Sequence, residues 1–172
     1  MALIIALGLW AHAMATLANV VVGTLLTLAI GLVIGILSAR HDRLRTVLRP
    51  FLDAAQTLPA FVYLIPALAL FEPTRFTAIV AAVIYALPPV IRLVEVGIRG
   101  VPQSVVEAST ASGATSWQLL FKVQLPMSRR ALLLAANQGI VMVLSMVVIG
   151  ALVGAGALGY DVLQGFARGE HF

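Results

Sequence analysis

The chain has no cysteine among its 172 residues, and only 10% of its residues are charged. The missing cysteine excludes a disulfide framework and any metal site built on thiolates. An average soluble domain carries roughly 25% charged and 45–50% apolar residues, whereas 61% of this chain is hydrophobic. A core of this size cannot hold so much apolar surface, because much of a soluble protein's surface stays wet. Lipid is therefore the predicted solvent for most of the chain.

Recognisable catalytic and pore motifs are also missing. The three histidines are scattered at His12, His41 and His171. No Ser/His pair, His-Glu-x-x-His motif or paired intramembrane aspartate accompanies them, so we predict no intramembrane enzyme, no catalytic residue and no metal site. Neither an acidic ring motif nor a carbonyl-filter sequence is present, which disfavours a passive channel.

The long apolar runs lack the alternation of a membrane β-barrel. Helices are the other structure that satisfies the backbone in a bilayer, so we predict an all-α polytopic membrane protein. Spans are expected at about 13–39, 51–71, 76–94 and 131–153, within a single transmembrane domain over residues 1–172. The apolar residues 1–10 have no preceding Lys or Arg, which favours the tail of a membrane helix over a cleaved signal.

Basic residues cluster at one end of the predicted spans: Arg40, Arg43, Arg45, Arg49, Arg92, Arg99, Arg129 and Arg130. The positive-inside rule places these ends in the cytoplasm and the turn at 72–75 outside. The net charge of +4 thus indicates orientation rather than nucleic-acid binding. Arg92 and Glu95 lie one helical turn apart and are expected to pair.

Prolines and glycines mark where the spans bend or meet. Pro50 suits the first turn of the second span, and Pro59 and Pro66 are expected to kink or break it. The pairs Gly31-x-x-x-Gly35 and Gly150-x-x-x-Gly154 permit close helix contacts.

The polar segment at about 96–128 is too regularly punctuated for a plain linker. Pro102 can open a short helix, and Gly113 suits the residue just beyond its end, where a left-handed conformation is needed. Thr115 or Ser116 can cap a second helix, which Leu125-Pro126 is expected to end.

The second loop helix carries an apolar ridge of Trp117, Leu120 and Phe121. This ridge is expected to pack either against membrane helices and the lipid interface or against a protein partner. Ser128 can cap the last span.

The loop resembles the EAA loop of permease subunits in type I ABC importers. That signature is Glu-Ala-Ala, a glycine four residues after the second alanine, and Ile-x-Leu-Pro. Its counterparts here are Glu107-Ala108-Ser109, Gly113 and Val123-Gln124-Leu125-Pro126, with Ser109 replacing alanine and Val123 replacing isoleucine. Four segments are further similar to the glycine betaine/proline betaine branch: Gln56–Leu64, Ala86–Arg92, Leu120–Pro126 and Leu144–Ile149.

The resemblance implies a type I importer permease core in the bacterial inner membrane. Its substrate would be a quaternary amine such as glycine betaine, proline betaine, choline or carnitine. Expected partners are ABC ATPase subunits that use ATP and Mg²⁺, a second permease subunit in a homodimer, and an extracytoplasmic solute-binding protein. The permease itself would be no enzyme and hold no cofactor. A permease of another branch, for an amino acid or related solute, remains the alternative.

Two groups of site residues follow from the resemblance. The ATPase-coupling group comprises Glu107, Ala108, Ser109, Gly113, Trp117, Leu125 and Pro126. Residues 104–116 would enter a groove on the ATPase, with Glu107 meeting a basic residue there or, alternatively, facing solvent. The possible pathway lining comprises Pro59, Tyr63, Tyr85, Gln138 and Ser145.

The pathway residues have ordinary roles as alternatives. Gln138 and Ser145 are seven residues apart and share a helix face, where they would line a cavity or form interhelical hydrogen bonds. Tyr63 and Tyr85 would offer cation–π contacts to a quaternary ammonium group or anchor the spans at the membrane interface.

Overall fold

The computed structural model describes residues 10–71 and 74–152, and these residues form helices without any strand. The expected all-α fold is thereby confirmed. In chain order the elements are α1 Trp10–Arg40, α2 Asp42–Thr57, α3 Ala60–Phe71, α4 Arg75–Arg99, α5 Gln103–Ala111, α6 Ser116–Gln118, a π-helical turn Leu119–Gln124, α7 Leu125–Met127 and α8 Arg129–Leu152. The interpretations of residues 1–9, Glu72-Pro73, Gly154 and His171 fall outside the described residues.

Three described helices, α1, α4 and α8, are long and apolar enough to cross a membrane. A fourth crossing is obtained when α2 and α3 are taken together as one broken span. The break lies at Leu58-Pro59, and α3 begins as the Val62 N–H donates to the Pro59 carbonyl at 3.0 Å. Proline has no N–H to donate within a continuing helix. The break that the sequence predicts at Pro59 is therefore confirmed.

Pro50 does not act as the sequence pattern predicts. Pro50 lies inside α2, which begins at Asp42, so its expected role in opening a helix is wrong. Asp42 starts the helix instead, where its carboxylate favours the positive end of the helix dipole. Pro66 lies within α3, and Pro88 and Pro89 lie within α4.

The chain forms two compact units, each with its own apolar core. The first comprises the described parts of Met1–Thr27, Thr57–Ala86 and Ile140–Phe172. Its core contains four alanines, whose small side chains let helices approach closely. The core residues are Leu64, Ala67, Ala81, Ala82, Ala86, Val143, Met146 and Val147. The second comprises Leu28–Gln56 and Leu87–Gly139, with Val90, Val94, Ile98 and Ala135 at its core.

Glycines set the α1–α4 contact inside the second unit. A Cβ atom on Gly31 would lie 2.6 Å from Val90 Cγ1, and one on Gly35 would lie 2.7 Å from Val94 Cβ. Such distances leave no room for a side chain. The Gly31-x-x-x-Gly35 motif therefore serves a contact within this chain.

Two threonine hydroxyls on α1 are buried without a hydrogen-bond partner in the described part of the chain. They belong to Thr24 and Thr27, which are 9% and 0% exposed. An unpaired buried hydroxyl costs free energy, so Thr27→Val should stabilise the folded protein by about 1 kcal/mol. Thermal unfolding of the detergent-purified protein measures this change.

Ser38→Ala is the matched control on the same helix. Ser38 is also fully buried, but its hydroxyl donates to Glu95 Oε2 at 2.7 Å. Its removal should lower the melting temperature, because an acceptor loses its donor. Equal losses of stability in both variants would contradict the difference that we assign to the two hydroxyls.

Candidate functional site

The first loop helix, α5, has no buried residue. Its hydroxyl side chains are satisfied within the helix, since Ser109, Thr110 and Ser112 donate to the carbonyls four residues earlier at 2.7–2.9 Å. Glu107 and Ala108 are exposed, whereas Ser109 is half-buried. The helix thus presents Glu107 on a surface that the described residues of this chain leave uncovered.

Gly113 ends this helix in the conformation expected from the sequence. Its φ angle is +82°, its N–H donates to Thr110 O at 2.9 Å, and Ala114 N donates to Ser109 O at 3.1 Å. This pair of bonds is a Schellman motif, which satisfies carbonyls at the helix end. No atom lies within 4 Å of a Cβ placed on Gly113, so the glycine meets a backbone requirement and leaves open space for a partner.

The second loop helix begins with a capping box. Gln118 N donates to Thr115 Oγ1 at 3.3 Å, and Thr115 N donates to Gln118 Oε1 at 2.9 Å. The expected cap at Thr115 is therefore confirmed, and the reciprocal bonds fix the helix start.

The expected end of this helix at Leu125-Pro126 is wrong. The chain passes through the π-helical turn Leu119–Gln124 and stays helical to Met127. In a regular α-helix the Pro126 ring would clash with the Lys122 carbonyl. The wider π turn accommodates the ring, and such turns are frequent at functional sites.

The apolar ridge of the second loop helix divides between a buried and an exposed part. Leu120 is 1% exposed, whereas Trp117 and Phe121 are 66% and 56% exposed. The two aromatic rings stack with centroids 5.5 Å apart. They line an apolar groove together with α1 side chains, among them Val33 and Leu37. Leu120 anchors the loop helix, and the aromatic pair remains accessible to lipid or protein.

The base of the loop is closed by a close contact between α4 and α8. A Cβ atom on Gly97 would lie only 2.6 Å from Ala131 Cβ. The buried Ser128 hydroxyl lies 2.8 Å from Gly97 O and 2.6 Å from Gln124 O. The one hydrogen of this hydroxyl is within reach of both carbonyl oxygens, and the contact with Gly97 O joins the start of α8 to α4 at the Gly97–Ala131 contact, here called the stem. The expected capping of α8 by Ser128 stays a prediction.

An ion-pair network lies where the loop leaves α4, and sequence reasoning missed it. Arg92 pairs with Asp53, so the expected Arg92–Glu95 pair is wrong. Glu95 is 8% exposed and binds Ser38 and Arg45, which belong to α1 and α2. The i,i+3 ion pair does not form, because the Glu95 side chain points toward α1 and α2.

The possible pathway residues fall into separate environments. In the first unit, Pro59 is exposed at the helix break, and Tyr63 and Tyr85 are half-buried with ring centroids 5.4 Å apart in edge contact. Ser145 is exposed, and its hydroxyl donates to Val141 O within α8. Its bond is intrahelical and supports neither expected role.

Gln138 belongs to the second unit, where it lines a groove with Gln56, Pro89 and Arg92. The pathway roles stay predictions. Across residues 10–71 and 74–152, no group of three histidine or acidic side chains could hold a metal ion.

Comparison with known proteins adds a family match. A family model described as "Binding-protein-dependent transport system inner membrane component" matches residues 31–169. The chain is 46% identical over 163 residues to the glycine betaine/proline betaine transport system permease protein ProW of Escherichia coli (strain K12), covering 95% of this chain and 46% of the relative. Similarity of this extent includes the loop and all three long helices.

Two other relatives give the same picture. Identity is 44% to the glycine betaine transport system permease protein OpuAB of Bacillus subtilis (strain 168), covering 91% of this chain and 55% of the relative. It is 42% to the glycine betaine/carnitine transport permease protein GbuB of Listeria monocytogenes, covering 95% and 58%. The chain spans about half the length of the curated relatives it matches.

Solved structures match the fold. A chain of the MetNI methionine ABC transporter in inward-facing conformations superposes with a TM-score of 0.80 at 26% identity, covering 92% of this chain and 80% of that chain. An amino acid ABC transporter superposes with a TM-score of 0.66 at 19% identity, covering 94% and 83%.

Proposed function

This chain belongs to the family of inner membrane components of binding-protein-dependent transport systems, and on that premise we propose that it is the permease subunit of an ATP-driven importer for quaternary amines. Glycine betaine and proline betaine are the first candidates, followed by choline and carnitine. The sequence match supports this substrate class over amino acids, because identity reaches 42–46% for betaine permeases and 26% for the methionine transporter.

The observation that carries the proposal is the geometry of the polar loop. An exposed helix, α5, ends in a Schellman turn at Gly113 and lies between two anchored segments, the Gly97–Ala131 stem and the capped second helix. A rigidly held helix with an uncovered acidic residue suits docking to a basic groove. The proposed partner is an ABC ATPase, which hydrolyses ATP with Mg²⁺, while this chain hydrolyses nothing and holds no cofactor.

The proposed coupling residues divide by role. Glu107 and Ala108 contact the ATPase, and Gly113 permits close approach because its Cα faces open space. Ser109 turns its hydroxyl back to Val105 O and shapes the helix rather than the contact. Leu125 and Pro126 form the helical continuation that joins the loop to α8. Trp117 is exposed beside the same surface.

The transport pathway is proposed from two permease copies, with solute delivered by an extracytoplasmic binding protein. The Tyr63–Tyr85 pair offers two aromatic faces and edges for a quaternary ammonium group, which aromatic rings attract by cation–π interaction. Pro59 lies in the break just before α3, the helix that carries Tyr63, so the break supplies the irregular backbone that is tolerated where it lines a cavity.

The test is uptake of labelled glycine betaine by proteoliposomes that contain the complete transporter. Wild type should show ATP-dependent uptake. Unlabelled proline betaine should inhibit this uptake by competition, and methionine should not. Glu107→Lys should lower uptake at least about tenfold, because like charges placed in a docking groove cost several kcal/mol. Co-purification of the ATPase with the variant measures assembly directly.

Glu107→Gln is the matched comparison, because it removes the charge and keeps the size of the side chain. Its uptake should lie between those of wild type and Glu107→Lys, since it brings no like charge into the groove. Unchanged uptake and unchanged ATPase binding in Glu107→Lys would refute the docking role. The substrate class would be refuted if methionine inhibited uptake and proline betaine did not.

A further inference from the structure

We propose that Glu95 is a positioning residue that fixes the polar loop to the corner formed by the end of α1 and the start of α2, and thereby couples ATP hydrolysis to transport. The inference rests on the proposed function and goes further, because Glu95 lies outside the docking helix. Glu95 belongs to α4, one turn before Arg99, where α4 ends and the loop begins.

Each oxygen of the Glu95 carboxylate has a different partner on that corner. Oε1 lies 2.8 Å from Arg45 Nε on α2, and Oε2 accepts a hydrogen bond from Ser38 Oγ on α1 at 2.7 Å. Ser38 is fully buried and Glu95 is 8% exposed. A buried carboxylate is costly without an ion pair and further hydrogen bonds, so α4 must keep this register to retain both.

A second tie follows one turn later on α4. Arg99 Nη2 donates to Asp42 Oδ1 at 2.5 Å and to the Ser38 carbonyl at 3.4 Å. Glu95 and Arg99 are four residues apart and therefore share a helix face. Because both residues lie on this one face, sliding or rotating α4 against the corner would separate the Glu95–Arg45 pair and the Arg99–Asp42 pair together.

The same corner also holds the far side of the loop. Arg40 at the end of α1 donates to Ser116 O at 2.9 Å, and its guanidinium lies 5.8 Å from the Trp117 ring centroid. Only residues 100–102 separate Arg99 from α5. The docking helix is thus tied at both ends to one corner, so a displacement of α5 is passed to α1 and α2.

The experiment measures glycine betaine transported per ATP hydrolysed by the complete reconstituted transporter. Glu95→Gln keeps the size and an acceptor for Ser38 but loses the ion pair with Arg45. The transport-to-hydrolysis ratio should fall about fivefold or more while the ATPase still binds, since changes within such networks shift coupling on this scale. A residue that only supports folding would lower both rates together and leave their ratio unchanged.

Two further variants sharpen the test. Arg45→Gln should lower the ratio like Glu95→Gln, and the double variant should lose less than the product of both, because no unpaired charge remains. Arg43→Gln is the matched control, since Arg43 is an exposed arginine on the same helix and forms no ion pair among the described residues. Its ratio should equal that of wild type.

The outcomes separate this inference from the proposed function. Wild type without ATP-dependent uptake would refute the proposed function. If wild type couples uptake to ATP hydrolysis and Glu95→Gln has the same transport-to-hydrolysis ratio, only the positioning role of Glu95 is overturned. If Glu95→Gln does not accumulate, Arg45→Gln is measured alone, because it removes the charge that pairs with Glu95 Oε1. An unchanged ratio in that variant would equally overturn the inference.

Discussion

Replacing Gly35 by leucine is expected to prevent the chain from accumulating as a folded membrane protein. A Cβ atom at this position would lie 2.7 Å from both Val94 Cβ and Val94 Cγ1, and 3.0 Å from the Ile91 carbonyl oxygen. Two of these atoms are backbone or directly attached to it, so a rotamer change cannot relieve the clash. Overpacking by one or two methylenes already costs roughly 1–3 kcal/mol, and leucine adds four carbons.

The measurement is the yield of monodisperse protein after detergent extraction, followed by its thermal unfolding. Val33→Leu is the control, because Val33 lies on the same helix but is 57% exposed. That substitution adds one methylene to a largely exposed side chain, so its yield should match wild type. A normal yield and melting temperature for Gly35→Leu would show that α1 and α4 do not meet at Gly35.

The second large effect concerns the stem of the loop. Gly97→Ala should destabilise the folded chain by about 2 kcal/mol, because the new Cβ would meet Ala131 Cβ at 2.6 Å. The stem also carries the bond from Ser128 to Gly97 O. Widening it would therefore break a buried hydrogen bond and release the loop from α8. Thermal unfolding and protease sensitivity of the loop would report the two consequences.

A methyl exchange provides a sharp control for this prediction. In Gly97→Ala combined with Ala131→Gly, the nearest atoms to the new methyl become Ser128 Cβ at 3.6 Å and Ala131 Cα at 3.9 Å, which are ordinary contacts. The double variant should regain most of the lost stability. Ala131→Gly alone should cost about 1 kcal/mol, the usual loss for glycine in a helix. If the two losses simply add, the close contact at the stem is disproved.

Signals confined to a few neighbouring residues were read correctly from the sequence. Gly113 and Thr115 act as expected because a Schellman turn and a capping box are made by atoms close together in the chain. The break at Pro59 likewise follows from a missing N–H. The family assignment rests on sequence similarity over residues 31–169.

Signals that depend on residues outside the short motif itself were read incorrectly or not at all. The Arg92–Glu95 spacing suits a pair, yet Glu95 binds Ser38, 57 residues earlier in the chain. Pro126 usually ends a helix, but the π turn that precedes it lets the helix continue. Pro50 falls inside a helix because that helix starts at Asp42.

Composition and local punctuation alone thus determined a helical membrane chain with one ordered polar loop, because hydrophobicity and short-range hydrogen bonds are properties of neighbouring residues. Only the tertiary structure decided how that loop is held. The Gly97–Ala131 stem and the Glu95–Ser38–Arg45 contacts join helices that are far apart in the chain. Their partners are selected by packing geometry in three dimensions, which no spacing along the sequence encodes.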